Sequence, residues 1–178
     1  MTGAMAWLDE VEQHLGAAPT RRHDAGGWDE VERMLGASVP EDYRSFCDRY
    51  GACIIHDFLY VSHPRSTELN TLEIFELYSE FLHELCESDD PLDRITRPLM
   101  GDGPGGMLLW AHTDIGDYCF LRPDEDGSWK VCVRYQEGEW HESDLTFTDW
   151  MLREVHGIDG DCNILKFRDV PPRYAPRA

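Results

Sequence analysis

Basic side chains are scarce in this 178-residue sequence. Lys and Arg together number 16, against 35 Asp and Glu, which gives a formal net charge of −19 at pH 7. Proteins bind nucleic acid largely through Lys and Arg that displace counterions from phosphates, and anionic lipid surfaces attract basic segments for a related reason. The composition therefore argues against direct binding to DNA, RNA or a membrane surface, and it favours a basic protein partner.

Long apolar runs and paired cysteines are also missing. No stretch approaches the roughly 20 consecutive apolar residues of a membrane helix, and residues 1–15 carry acids where a signal peptide has a basic flank. The six cysteines include no C-x-x-C pair, and several lie in apolar patterns. We therefore expect reduced, buried cysteines in a cytoplasmic protein.

Signatures of catalysis and of ligand binding are absent as well. Cys47, Cys53 and His56 have a spacing that fits no zinc site and lack a fourth ligand. The glycine-rich segment 101–106 lacks the Gly-Lys-Ser/Thr ending of a phosphate-binding loop, and no G-x-S-x-G nucleophile motif occurs. The sequence thus predicts no catalytic residue, no metal site and no cofactor. An unrecognised enzyme, whose catalytic groups converge only in space, remains an alternative.

The sequence does contain the material for a folded domain. Hydrophobic residues make up 42% of the chain and aromatic residues 11%, which is too rich for a disordered acidic protein. Apolar periodicity and end signals predict helices over residues 7–16, 28–36, 40–51, 70–87 and 146–157. Runs of β-branched and aromatic residues predict strands over 53–61, 107–112, 118–122 and 129–135, with a shorter one near Trp140.

This order of elements is typical of an α+β fold. We expect a single domain with an antiparallel β-sheet of about four to six strands, covered by helices. Residues 27–157 would form the domain, residues 1–26 an accessory N-terminal helix and loop, and residues 158–178 an extended, mildly basic tail. In the helix over 70–87, the expected apolar face is Ile74, Leu77, Tyr78, Phe81, Leu82 and Leu85.

Acidic residues are concentrated around the same helix. Residues 66–93 contain nine Asp or Glu and no Lys or Arg. Spacings of three and four residues align five of these acids on one exposed helix face, and two more follow the helix directly. The candidate partner-binding residues are Glu73, Glu76, Glu80, Glu84, Glu87, Asp89 and Asp90. Two interpretations stay open: a solvated face in an acidic protein, or a docking surface for a basic partner.

Four segments carry a resemblance to a known family. They are residues 28–36, residues 39–46 with Tyr50-Gly51, residues 110–120, and the closing helix over 146–157. In order and spacing, these segments resemble the SUKH superfamily, whose namesakes include the yeast cell-wall assembly regulator. Many bacterial members of that superfamily are immunity proteins of polymorphic toxin systems. The family often has Leu-Pro where this chain has Val39-Pro40.

The resemblance implies a non-catalytic adaptor that binds another protein. Its shared residues suit a scaffold: bulky core side chains, a proline that starts a helix, a glycine that ends one and a tight Gly-Asp turn. These scaffold residues are Trp28, Pro40, Tyr43, Phe46, Gly51, Trp110, Gly116 and Asp117. The leading hypothesis is an immunity protein that binds and neutralises a cognate toxin domain, such as a basic nuclease. The alternative is a regulatory scaffold related to cell-wall assembly regulators.

Overall fold

Five helices and seven strands make up the part of the chain that the structure describes. The structure is a computed structural model, and it describes residues 6–18 and 26–165 together with the backbone of residues 174–176. The helices are α1 Ala6–Leu15, α2 Trp28–Leu35, α3 Glu41–Tyr50, α4 Thr71–Cys86 and α5 Phe147–Val155. The strands are β1 Cys53–Ile55, β2 Leu59–Val61, β3 Leu108–Thr113, β4 Tyr118–Pro123, β5 Trp129–Arg134, β6 Trp140–Glu142 and β7 Tyr174–Pro176.

The strands form one antiparallel sheet in the order β6-β5-β4-β3-β2-β1-β7. Strands β1 to β6 form a meander, because each pairs with its neighbour in the chain. Strand β7 returns to the opposite edge, where Pro176 lies across from Cys53. The predicted α+β fold with an antiparallel sheet is confirmed, and the sheet has one strand more than the predicted upper limit.

The prediction of one continuous strand over residues 53–61 is wrong. The segment forms a hairpin of β1 and β2, in which His56 and Asp57 have φ angles of 57° and 54°. The Phe58 N–H donates to the Ile55 carbonyl at 3.0 Å and closes the turn. Two-residue hairpin turns usually have Gly or Asn at the positions with positive φ, and these residues make such turns recognisable in a sequence. Here His56 and Asp57 adopt that conformation without a glycine, so the turn signal in the sequence is weak.

The core lies between the sheet and the helices α1, α3 and α5. Trp110 of β3 is fully buried, and its ring centroid lies 5.9 Å from Tyr43 of α3 and 5.2 Å from both Phe147 and Trp150 of α5. The register between β3 and β4 shifts at Trp110. An extra residue at such a bulge interrupts the alternation of sides. Trp110 therefore faces α5, whereas His112 faces α4 on the other side of the sheet.

Residues outside the expected domain limits of 27 and 157 also contribute to this core. Val11 of α1 is fully buried, and the Trp7 ring lies 6.2 Å from Phe147. After α5, Ile164 and Leu165 are buried, and their backbone N–H groups donate to the Glu154 carboxylate. Residues before and after the expected domain thus pack against α5, the helix that closes it.

The helices of the described segments are too short or too polar to cross a lipid bilayer.

Candidate partner-binding surface

Helix α4 begins at a well-formed cap. The Asn70 side-chain oxygen accepts hydrogen bonds from the N–H groups of Leu72 at 2.9 Å and Glu73 at 3.3 Å. These bonds satisfy two of the free donors at the helix start. The helix then runs over 16 residues and buries one side. Its buried residues are Thr71, Ile74, Phe75, Leu82 and Leu85.

The buried side of α4 lies over a row of polar side chains, three with aromatic rings and one arginine. Tyr60, His112, Tyr118 and Arg134 are successive cross-strand partners in β2, β3, β4 and β5. The Tyr78 ring of α4 lies 5.0 Å from Tyr118 and 5.4 Å from His112. Burial raises the pKa of Tyr118 and lowers the pKa of His112, because both groups are held in their neutral form away from water. The helix therefore sits on an uncharged platform except at Arg134.

A contact at the far side of α4 fixes the helix to the glycine-rich loop 101–106. The His83 Nε2 atom lies 2.9 Å from Asp102 Oδ1, and His83 Nδ1 lies 2.6 Å from the Ser79 carbonyl. The hydrogen bond to Asp102 raises the pKa of His83. Within the loop, a Cβ atom on Gly106 would lie 2.6 Å from the Leu99 carbonyl oxygen, so only glycine fits. The glycine-rich loop thus supports α4.

The predicted acidic residues share one exposed face. Glu73, Glu76, Glu80 and Glu84 are exposed along α4, and a rise of 1.5 Å per residue spreads them over about 16 Å. Glu87 occupies the C-cap, and the exposed Asp89 and Asp90 continue the row beyond it. Among residues 6–18 and 26–165, none of these seven carboxylates forms an ion pair with a described basic group. We call these seven residues the acidic surface.

This arrangement is costly for the helix. Each like-charge pair at a spacing of three or four costs about 0.2–0.5 kcal/mol, and carboxylates at the C-terminal end also oppose the helix dipole. The buried side of α4 supplies the compensating stability. In the described segments, the acidic surface has no ion pair with Lys or Arg, and the Asp90 carboxylate accepts the Leu92 N–H at 3.0 Å.

The predicted apolar face of α4 is partly wrong. Leu77 and Phe81 are 72% and 40% exposed, whereas Phe75, which the prediction left out, is buried. The apolar side chains of α4 cover a broad arc, and periodicity cannot tell which edge of that arc the sheet will cover. In the structure, the edge of this arc that contains Phe75 is buried, and the edge that contains Leu77 is exposed beside the glutamates.

Phe81 joins this open edge to the sheet and to the loop after α4. Its ring centroid lies 5.5 Å from the Arg134 guanidinium carbon and 5.9 Å from the Tyr118 ring. Arg134 also pairs with Asp93, so one guanidinium group links Phe81 to the residue that follows the 72% exposed Leu92. Leu92 was not predicted from the sequence as an exposed residue of this surface. The nearby acids at positions 90 and 93 were the signal in the sequence that could have indicated its exposure.

The aromatic scaffold residues lie in the core. Trp28, Tyr43, Phe46 and Trp110 are all buried. The Tyr43 hydroxyl donates to the Ser62 carbonyl at 2.9 Å, and burial raises its pKa well above the usual value.

The remaining scaffold residues shape chain turns. Pro40 directly precedes α3, and its carbonyl accepts the Arg44 N–H at 2.9 Å. Gly51 ends α3 with a φ of 69° and a ψ of −160°, a combination available essentially to glycine. Gly116 has a φ of 98° in the turn before β4. The buried Asp117 accepts hydrogen bonds from the Thr113 hydroxyl at 3.0 Å and the Gln136 N–H at 2.9 Å.

No metal-binding cluster is present in the described segments. There, no three His, Cys, Asp or Glu side chains come together in a way that could hold an ion. A cleft of about 310 Å³ at the end of the sheet is lined in part by Phe58, Ile115, Tyr135 and Asp117. The Asp117 carboxylate already accepts hydrogen bonds from Thr113 and Gln136. The buried acid of this cleft therefore holds neighbouring strands together.

A comparison of the sequence with models of known protein families shows which family this chain is related to. The model of the SMI1 / KNR4 family (SUKH-1) matches residues 26–153, more than two thirds of the 178-residue chain. This protein belongs to the SMI1 / KNR4 family (SUKH-1). The predicted SUKH relationship is therefore confirmed. The SUKH-1 match includes α4 and the whole acidic surface, whereas α1 lies outside it. Searches of curated proteins and of solved structures found no match.

Proposed function

We propose that this SUKH-1 protein is an immunity protein that binds and neutralises a cognate toxin domain with a basic surface, such as a nuclease. Binding would block the active site or the substrate groove of the toxin. The single observation that carries the proposal is the acidic surface, which is exposed, unpaired among the described residues and costly to the helix that bears it. A resemblance to a superfamily with many immunity proteins supports it.

The physical advantage of such a surface is speed and selectivity. Opposite charges on two proteins accelerate their encounter, and like charges reject unsuitable partners. A protein that must intercept a toxin gains from both effects. We place this function in the cytoplasm, because all six cysteines are free thiols and five of them are buried. The proposed protein acts by binding and carries out no reaction.

Charge reversal tests the proposal directly. Under this proposal, we expect a neighbouring gene to encode the cognate toxin domain, and that domain is the probe. A variant with Glu76→Lys, Glu80→Lys and Glu84→Lys should associate with this domain at least tenfold more slowly than the wild type. Wild-type association should slow as ionic strength rises, because salt screens the attraction. Surface plasmon resonance measures both.

A matched variant separates local from global charge. Glu125→Lys, Glu137→Lys and Asp161→Lys change the net charge by the same amount at exposed sites outside α4. This control should associate at nearly the wild-type rate. Equal slowing of both variants would show that only net charge matters.

Co-expression in a sensitive host tests neutralisation. The wild-type chain should restore growth of cells that produce the toxin domain. Absence of a toxin gene nearby, or failure to restore growth while the chain is folded, would favour the regulatory scaffold.

A further inference from the structure

Three exposed apolar side chains lie on α4, which carries most of the acidic surface, or on the loop that follows it. The described segments contain five large hydrophobic residues with high exposure, and three of them, Leu77, Phe81 and Leu92, lie on α4 or the loop that follows it. The other two, Ile115 and Ile158, lie on other parts of the chain. Single exposed hydrophobic residues are ordinary, but a group of them is typical of an interaction site.

The geometry places Leu77 among the carboxylates. On a helix, residues three and four apart are neighbours, so Leu77 has Glu73 one turn before it, Glu80 and Phe81 one turn after it. Phe81 in turn lies against Arg134, which also holds Asp93. Helix α4 and the Arg134–Asp93 ion pair therefore hold the exposed Leu77 and Phe81 side chains in fixed positions before a partner binds.

From this arrangement we infer that Leu77 and Phe81 form the apolar anchor of the partner-binding surface, and that Leu92, on the loop held by the Arg134–Asp93 pair, adds to it. The partner it fits is a folded protein that presents an apolar side chain surrounded by Lys or Arg. This inference rests on the proposed function, in which that partner is the toxin domain. A second copy of the chain does not fit, because two acidic surfaces would repel each other, and an anionic membrane is repelled in the same way.

The two parts of the surface should contribute to different rate constants. Charges act at long range and change the association rate, whereas buried anchors act at contact and change the dissociation rate. Large apolar side chains at the centre of an interface commonly carry most of its affinity. Loss of the anchor should therefore leave association nearly unchanged and make dissociation at least tenfold faster.

The experiment compares two matched pairs of substitutions against the same toxin domain. The test variant carries Leu77→Ala and Phe81→Ala, and the control carries Ile115→Ala and Ile158→Ala, which are about half exposed. The single variant Leu77→Ala is included because Leu77 is the more exposed residue of the pair and its removal should not disturb folding. The test variants should dissociate faster, and the control should match the wild type. Unchanged dissociation of Leu77→Ala and of the double variant would overturn the anchor and leave the proposed function intact.

A separate outcome is that the wild type does not bind the toxin domain at all. The proposed function then fails, and the surface is tested by p-benzoylphenylalanine placed at position 77 or at position 115 in the native host. A cross-link from position 77 to one protein identified by mass spectrometry, lost when Glu76, Glu80 and Glu84 are replaced by Lys, supports the docking surface. No cross-link from position 77, or an equal one from position 115, overturns it.

Discussion

Asp117 illustrates how one buried acid organises the end of the sheet. Its carboxylate accepts the Thr113 hydroxyl across the β3–β4 turn and the Gln136 N–H at the end of β5. The Asp117 N–H donates back to the Thr113 hydroxyl oxygen at 2.9 Å. Three strands are thereby joined through one side chain. Each of these hydrogen bonds is made within the fold, which is what the predicted scaffold role of Asp117 requires.

Replacing this acid should weaken the fold. We expect Asp117→Ala to lower the free energy of unfolding by about 1–3 kcal/mol, since a buried donor without a partner costs about that much. Urea denaturation measures the change. Asp114→Ala, at an exposed position in the same turn, is the control and should shift stability by less than about 0.5 kcal/mol. A similar effect of both substitutions would mean that the turn conformation, and not the carboxylate, is responsible.

At the scale of the element, α4 combines two opposite roles. Phe75 and Leu82 on its inner side are buried in the core, while Leu77 and the glutamates on its outer side face water. Stability and binding are thus separated on the two sides of one helix. This separation makes the surface accessible to mutation without loss of the fold.

Neighbouring substitutions on α4 should therefore differ sharply in stability. We expect Phe75→Ala to lower the free energy of unfolding by about 3–5 kcal/mol, the range for a large aromatic residue removed from a core. Leu77→Ala should change it by no more than about 0.5 kcal/mol, because little of that side chain is buried. Chemical denaturation of both variants checks the contrast. If Leu77→Ala proved as damaging as Phe75→Ala, the buried side of α4 would be the one that periodicity predicted.

The elements themselves were largely predictable. Local end signals such as Asn70 before α4 and Thr146 before α5 lie next to the helices they start, and both accept the expected backbone hydrogen bonds. The division of residues 53–61 into two strands was not predictable, because apolar residues flank the turn on both sides and the turn at His56 and Asp57 carries no glycine. Local propensity specifies a conformation only where one alternative clearly dominates.

At the scale of the whole molecule, the termini complete the fold of the central domain. Helix α1 packs against α5, and Arg49 of α3 pairs with Asp9 at 2.9 Å. At the other end of the chain, β7 covers the edge of β1 that would otherwise be open for pairing. The SUKH-1 match ends at residue 153, so parts of the core described here lie beyond it.

Removal of the first helix tests this contribution. Deleting residues 1–18 removes four buried apolar side chains, those of Trp7, Leu8, Val11 and Leu15. Each contributes about 1.5–3 kcal/mol when fully buried, and whole domains are stable by only about 5–15 kcal/mol. We expect the truncated chain to lose its cooperative thermal transition and to bind a hydrophobic dye. Gln13→Ala, an exposed change on the same helix, should leave the transition nearly unchanged. If the truncated chain still unfolds cooperatively, α1 is an accessory to the domain.

The amino-acid sequence alone determined the types of most elements, the family and the position of the acidic surface. These properties depend on residue composition and on neighbours within a few positions, as in the glutamates of α4. Only the tertiary structure decided which edge of α4 is covered, that Arg134 contacts both Phe81 and Asp93, and that residues from both ends join the core. Those outcomes depend on contacts between residues distant in the chain, such as Arg134 with Asp93, and on competition for the limited area of the sheet.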